Sequence, residues 1–484
     1  MKQVLLVIHT NTYFTGMFPL GKLLKRAKQF EPVFFFCRSY PTMYDDLENC
    51  RKQGLPFLLS LFSQDVKETQ TRAAEGVSEP LKAYAKRRLP APLQSAIRRL
   101  LRWELSVTSD NVFQHARRLF RQIRAVRQVI RVQDIALLVL PADNRYDQSA
   151  YVKAAHLEKI GVVVIPQFMA GPLEWAEFVW DQPAYQGSIF LNLLAGLLYP
   201  RWVLHYKGRK LVSLPGAQII AREWLGIAPP LPWVLHSGYA DMLAVESDAV
   251  RDYGVSEGLP LQKLNVTGSV ALDILADGVA NANQRRLELC YTLGLPSNLP
   301  IILSALPPDS IYMGRPDCEF KIYAELVEFW CRSLAAIAEF NIIICLHPSV
   351  KYEDMKYIED WGLKIMQEPT VNLIPLCDIF VASISATIQW AIACGKPVVN
   401  YDVYHYRYTD YADVGGVILV EEKNEFQQVL CQLASSPIYY TEIAVRQSAC
   451  AERWGRLDGK AGERLLQLFD AMVNRYSGVK KLGR

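Results

Sequence analysis

The side chains best suited to chemistry stand directly after short β-branched runs. Val4–Ile8 leads into His9-Thr10-Asn11-Thr12. The imidazole there can take a proton from a hydroxyl, and the amide and hydroxyl groups behind it can meet a sugar or phosphate through neutral hydrogen bonds. Ile135–Leu140 leads into Pro141-Ala142-Asp143-Asn144. A carboxylate at a strand end can orient a hydroxyl or serve as a general base, although an Asx turn or a helix cap uses Asp143 equally well. His9 and Asp143 are therefore the candidate bases, and Asn11, Thr12 and Asn144 the candidate ligand contacts of the first half.

The second half repeats the pattern with more hydroxyls. Thr267-Gly268-Ser269 closes one run and opens a helix; the glycine lets backbone approach a ligand and the amides around Ser269 can receive an anion, while capping alone accounts for the same residues. Ser304 follows Ile301–Leu303, and Ile342–Leu346 ends in His347-Pro348, an imidazole held by a proline turn and suited to a diphosphate oxygen or a nucleotide hydroxyl. The run ending at Ala382 delivers Ser383, Ser385 and Thr387 onto a helix start, with Gln389 beyond and Gly395-Lys396-Pro397 at the far end. Unpaired N–H groups at a helix start favour phosphate. The first loop has no GxGxxG and the chain no clear Asp-X-Asp, so neither a dinucleotide cofactor nor a metal is expected.

Continuous apolar runs of this kind belong to parallel strands covered on both faces, which makes the fold class α/β. With 484 residues, 51% of them apolar, the chain is too long for one core, so two domains are expected. The prolines of Pro215–Pro232 predict irregular chain and a domain boundary nearby. The expected division is 1–240, with a basic helical insertion near 65–132, then 241–445, then a helical tail over 446–484 that packs back on the first domain. Ile189–Tyr199 is the longest apolar stretch, read first as a buried helix and second as a shallow membrane contact.

Charge is concentrated. The net charge is +4, yet residues 81–133 carry thirteen Lys/Arg against Glu104 and Asp110. Interleaved with leucines and aromatics, the segment 81–131 fits an anionic membrane surface, or an ordinary solvated helix face; nucleic acid is disfavoured because no nucleic-acid-binding motif accompanies it. Ten cysteines without a CxxC pair fit a reducing cytoplasm.

Taken in order, these motifs resemble the GT-B fold, in which two Rossmann-like domains with parallel sheets face a central cleft. The nearest pattern is that of the non-hydrolysing UDP-N-acetylglucosamine 2-epimerases and the glycosyltransferases of bacterial surface-polysaccharide biosynthesis. Asn265–Leu275 is similar to the family's strand, Thr-Gly turn and helix with Asp; Cys345–Pro348 to its His-Pro turn; Ser383–Pro397 to its phosphate-binding helix; Leu140–Asn144 and Gly161–Pro166 to its first-half units. Two departures matter. Where the epimerases carry His-X-Glu-Ala-Gly, this chain has Gln167-Phe168-Met169-Ala170-Gly171, without the carboxylate. Where the family places an acidic residue for the ribose, this chain has Gln389-Trp390. The resemblance implies a metal-independent glycosyltransferase. Its second domain holds a nucleotide-sugar donor, as substrate and not cofactor, through Thr267, Gly268, Ser269, Ser304, His347, Ser383, Ser385, Thr387 and Gln389. A glycan or lipid-linked acceptor meets Asn11, Thr12 and Asn144, with His9 or Asp143 as base. The protein is then cytoplasmic and peripheral to the inner face of the membrane. An epimerase-like isomerase and a catalytically silent sugar-nucleotide-binding scaffold are the alternatives.

Overall fold

The computed structural model describes residues 1–60, 111–168, 170–311, 314–315, 317–347 and 350–482. The basic run over 81–110, Met169 and Pro348 lie outside them. The chain divides into two compact units: Met1–Leu243 with Gly254–Asn265 and Leu468–Arg484, and Ala244–Tyr253 with Val266–Gln467.

Unit 1 is built on β1 (Lys2–Ile8), β2 (Phe30–Phe36), β3 (Phe57–Leu59), β4 (Ile135–Leu140) and β5 (Gly161–Val164). A hairpin of β6 (Val203–Tyr206) and β7 (Arg209–Val212) stands apart, and β8 (Met242–Val245) and β9 (Leu264–Val266) complete a seven-stranded parallel sheet of order β3-β2-β1-β4-β5-β8-β9. Val4–Ile8 and Leu137–Leu140 have no exposed surface because helices cover both faces. The helix Val112–Val132 puts Leu119, Ile123, Val126 and Ile130 inward and Arg117, Arg121, Arg124 and Arg131 outward, as its spacing predicts. Phe469, from the last helix Ala461–Leu482, is fully buried and meets Phe30 edge to face at 6.2 Å.

Unit 2 carries the six-stranded parallel sheet β12-β11-β10-β13-β14-β15, from β10 (Ile301–Ala305), β11 (Asn341–Cys345), β12 (Lys364–Met366), β13 (Ile379–Ala382), β14 (Val398–Tyr401) and β15 (Val417–Val420). An aromatic stack fills one face: Trp330 lies parallel on Tyr401 at 5.9 Å, and Tyr401 on Phe426 at 4.7 Å.

Two expectations fail here. Pro215–Pro232 is not irregular throughout: helix Gly216–Trp224 starts at once after Pro215, because a proline just before a helix costs it no hydrogen bond and the Asn192 side chain accepts from the Gly216 N–H at 2.6 Å. Helix Phe190–Leu198 is not buried. Only Asn192, Ala195 and Gly196 face inward, while Phe190, Leu193, Leu194, Leu197 and Leu198 are exposed, Leu197 at 67%.

Phe469→Ala removes a ring that closes the unit 1 core from the end of the chain. Urea unfolding is expected to show a loss of about 3–5 kcal/mol; a variant as stable as the parent contradicts this packing.

Candidate functional site

In an open parallel sheet a crevice forms beyond the carboxyl ends of the strands where strand order reverses. Unit 1 reverses between β1 and β4, unit 2 between β10 and β13.

At the unit 2 reversal, β13 runs into Ser383-Ile384-Ser385-Ala386-Thr387. Ile384 holds φ 45°, a left-handed conformation that costs a β-branched residue on the order of 1–3 kcal/mol. Asn400, on neighbouring β14, fixes it by accepting from the Ile384 N–H at 2.9 Å. The Ser385 and Thr387 hydroxyls pair at 2.8 Å, and the Ser385 Oγ accepts from the Thr387 N–H. The buried Ser383 Oγ has no hydrogen-bond partner. Such an orphan is an expense that a ligand can remove. The helix that follows, Thr387–Ala393, is only seven residues long, so the hydroxyls of the turn, more than a helix dipole, are its chemistry.

Beside this turn stands an acid that sequence reasoning missed. Glu246, directly after β8, accepts from the Ser269 hydroxyl at 2.6 Å and the Trp390 indole N–H at 3.1 Å, both on Oε1. Burial pushes its carboxyl above the usual range, and the two donors oppose that. Ser269, expected as a direct ligand contact, donates to Glu246, which joins it to Trp390 of helix Thr387–Ala393. Gln389 is buried with its amide against the Tyr411 hydroxyl. His347 is half-buried after β11, where burial lowers its pKa; β11 is two strands from β13, a spacing of about 10 Å.

Three donor candidates are structural instead. The Ser304 Oγ is fully buried and accepts from the Trp330 indole at 2.8 Å, which seats the aromatic stack. The Thr267 hydroxyl is turned into its own chain, donating to the Gly268 carbonyl at 2.8 Å. Gly268 is required at φ 77°, and a Cβ there would stand 2.8 Å from the Cβ of Ala461; the close approach is to the start of the last helix, not to a ligand.

In unit 1 the largest correction is Asp143. It is wholly buried and accepts four hydrogen bonds: from the Ser237 N–H and hydroxyl at 2.6 and 2.9 Å, and from the Tyr239 and Ala240 N–H groups at 2.7 and 2.9 Å. A carboxylate so saturated fastens the segment 237–240 and has no lone pair left for a substrate proton. Asn144 is also internal, its Nδ2 donating to the Pro232 and Val234 carbonyls. Asn11 is half-buried and donates to Asp46, which also accepts from the Tyr40 hydroxyl, while Thr12 is exposed in the first turn of helix Asn11–Ala27.

His9 keeps its candidacy. It sits at the end of β1 in an aromatic box, stacked on Tyr146 at 5.6 Å and edge-on to Tyr151 at 5.6 Å, and neither ring nitrogen makes a hydrogen bond of ordinary geometry. Burial lowers its pKa to about 4, Asp147 opposing and Arg38 adding to the shift, so the ring is neutral at physiological pH. Two residues that act on it, Tyr146 and Arg38, were not expected from the sequence, nor was Arg145, in the same loop as Tyr146 and lying over Trp175. Among the described residues no cluster of His, Cys, Asp or Glu could hold a metal.

No protein-family model and no curated protein sequence matches the chain. Solved structures do. S. aureus MnaA with UDP matches with a TM-score of 0.52 and 13% identity, over 98% of this chain and 97% of that one. The UDP-GlcNAc 2-epimerase of Neisseria meningitidis bound to UDP-GlcNAc matches with a TM-score of 0.50 and 14% identity, over 96% and 98%. The chain thus has the GT-B fold, two parallel α/β sheets in two units.

Asp143→Asn is expected to destabilise unit 1 by about 2–3 kcal/mol, the worth of charge-assisted hydrogen bonds to a buried acceptor. The check is urea unfolding; full stability with lost turnover contradicts the structural role.

Proposed function

We propose that this protein is a glycosyltransferase that takes a sugar from a nucleotide-sugar donor without a metal. The observation that carries the reading is the strained turn 383–387 at the strand reversal of unit 2, with Ser383 unpartnered and Ser385 and Thr387 beside it. Fixed hydroxyl and amide donors there oppose the charge that grows on a departing diphosphate, the part a metal plays elsewhere. Glu246 offers its second oxygen to a ribose hydroxyl and so replaces the carboxylate that Gln389-Trp390 lacks. His9, neutral and without a side-chain hydrogen-bond partner, is the base for the acceptor hydroxyl. The fold shared with two structures that hold UDP or UDP-GlcNAc supports a nucleotide-sugar ligand.

The same comparisons favour an epimerase-like isomerisation as the second reading. Against it stands the removal of Asp143 from the reacting groups, which leaves His9 alone where an elimination and re-addition needs more than one acid or base. A silent nucleotide-binding scaffold is separated from both by turnover.

A lipid-linked acceptor at an anionic membrane surface is part of the first reading. Helix Phe190–Leu198 turns five large apolar side chains outward, and no helix among the described residues is long and apolar enough to cross a membrane. Helix Gly216–Trp224 adjoins it through Asn192 and meets the basic helix Val112–Val132 through Phe113 and Trp224 at 5.7 Å. Apolar area with basic residues beside it is what binding to an anionic interface requires.

UDP, at about a hundredfold over its dissociation constant, is expected to add about 2.7 kcal/mol to native stability and raise the melting temperature. Ser383→Ala and Ser385→Ala are each expected to lower acceptor-dependent UDP release about tenfold or more. Sugar interconversion without acceptor supports the isomerase, and UDP binding with neither product supports the scaffold. In liposome flotation, Leu197→Lys with Leu193→Lys is expected to abolish recovery with anionic vesicles; equal recovery of parent and variant contradicts the membrane reading.

A further inference from the structure

Three arginines of unit 1 lie at or near Asp147, and two of them are paired with it. Arg222 is buried and donates to the Asp147 carboxylate at 2.6 Å, which also meets Arg118 at 3.1 Å. Asp147 is therefore spent: burial works to raise its pKa, and the two guanidinium groups prevail and hold it below the usual carboxylate range. Arg145, two residues earlier, lies 3.5 Å over the Trp175 ring and has no carboxylate partner among the described residues. Tyr185, Tyr13 and Tyr146 are near enough to act on its charge, with Arg222 opposing them. An Arg stacked on an indole and only partly reached by water, without a counter-ion, is completed by an anion.

The placement is specific. Arg145 follows β4 and His9 ends β1, so the two flank the strand reversal of unit 1. The backbone after Arg145 is strained at two successive residues, Tyr146 at φ 49° and Asp147 at φ 60°. That geometry sends Tyr146 back over His9 and ties Asp147 to Arg222, while the guanidinium of Arg145 lies on Trp175. Arg38, exposed after β2, lies 6.0 Å from the Tyr146 ring. Two cations with tyrosine hydroxyls as donors match a dianion better than a single carboxylate, and the fork of Arg145 suits paired oxyanion contacts.

We propose that the carboxyl end of the unit 1 sheet is an oxyanion site, in which Arg145 on Trp175, aided by Arg38 and the tyrosines, binds a phosphate monoester carried by the acceptor. That the ligand is the acceptor rests on the transferase reading; the site itself does not.

Calorimetric titration of the full chain with inorganic phosphate and with soluble dihexanoyl phosphatidic acid tests the site and separates free phosphate from a lipid headgroup. Saturable binding is expected for the lipid phosphate, with Arg145→Gln weakening it about tenfold or more, Arg145→Lys weakening it less, and Ser385→Ala leaving it unchanged. Arg145→Lys keeps the charge and carries the test if Arg145→Gln fails to fold. Equal affinity in parent and both Arg145 variants, no saturable binding by the parent, or loss caused by Ser385→Ala instead, overturns the proposal. An Arg145-dependent phosphate site in a protein that turns over no nucleotide sugar leaves the site standing and removes the acceptor assignment.

Discussion

Parallel strands can be joined only by crossovers, and where successive crossovers leave in opposite directions the chain must open a gap at the carboxyl ends of two adjacent strands. That constraint acts twice here, between β1 and β4 and between β10 and β13. Left-handed non-glycine residues follow one strand of each pair, Tyr146 and Asp147 after β4 and Ile384 after β13. Burial of the strands supports that strain: Val4–Ile8 and Ile379–Ala382 are sealed on both faces, and Asn400 pins Ile384 from the neighbouring strand.

The two gaps have opposite economies of polar groups. In unit 2 the hydroxyls of Ser385 and Thr387 satisfy each other while Ser383 is left over, which makes the turn neutral and rich in donors. In unit 1 the polar groups nearest the sheet are consumed internally. Asp143 fastens 237–240, Asn144 holds two carbonyls, and Asp147 neutralises Arg222. Unspent charge remains on Arg145 and Arg38, beside a histidine that burial keeps neutral. The two gaps thus offer an anion different devices, hydroxyls and amides in unit 2 and guanidinium groups in unit 1.

Much of the fold was legible in the sequence. Buried parallel strands read as continuous apolar runs, and β4, β9 and β13 appear at the expected residues. The strands not expected are β3, β12, the hairpin, β8 and β15, none of which is buried at every residue. The candidate site was legible in location more than in role. Strand ends pointed to His9, Asp143 and Ser383, but whether a side chain faces a ligand or the fold depends on partners distant in sequence. Asp143 finds Ser237, Ser304 finds Trp330, and Gly268 finds Ala461. Glu246 escaped for the complementary reason: it follows a strand, and its partners Ser269 and Trp390 come from separate elements. Arg145 directly follows the Asp143-Asn144 pair read from the sequence, and only the pairing of Asp147 with Arg222 and Arg118 shows that it is left without an acid.

The central claim is that the hydroxyl turn of unit 2 receives the diphosphate of a nucleotide. A crystal structure of the full chain with UDP tests it most directly. The account predicts phosphate oxygens within hydrogen-bond distance of the Ser383 and Ser385 hydroxyls and a ribose hydroxyl on Glu246; UDP bound away from residues 383–387, with Ser383 still unpartnered, would contradict it.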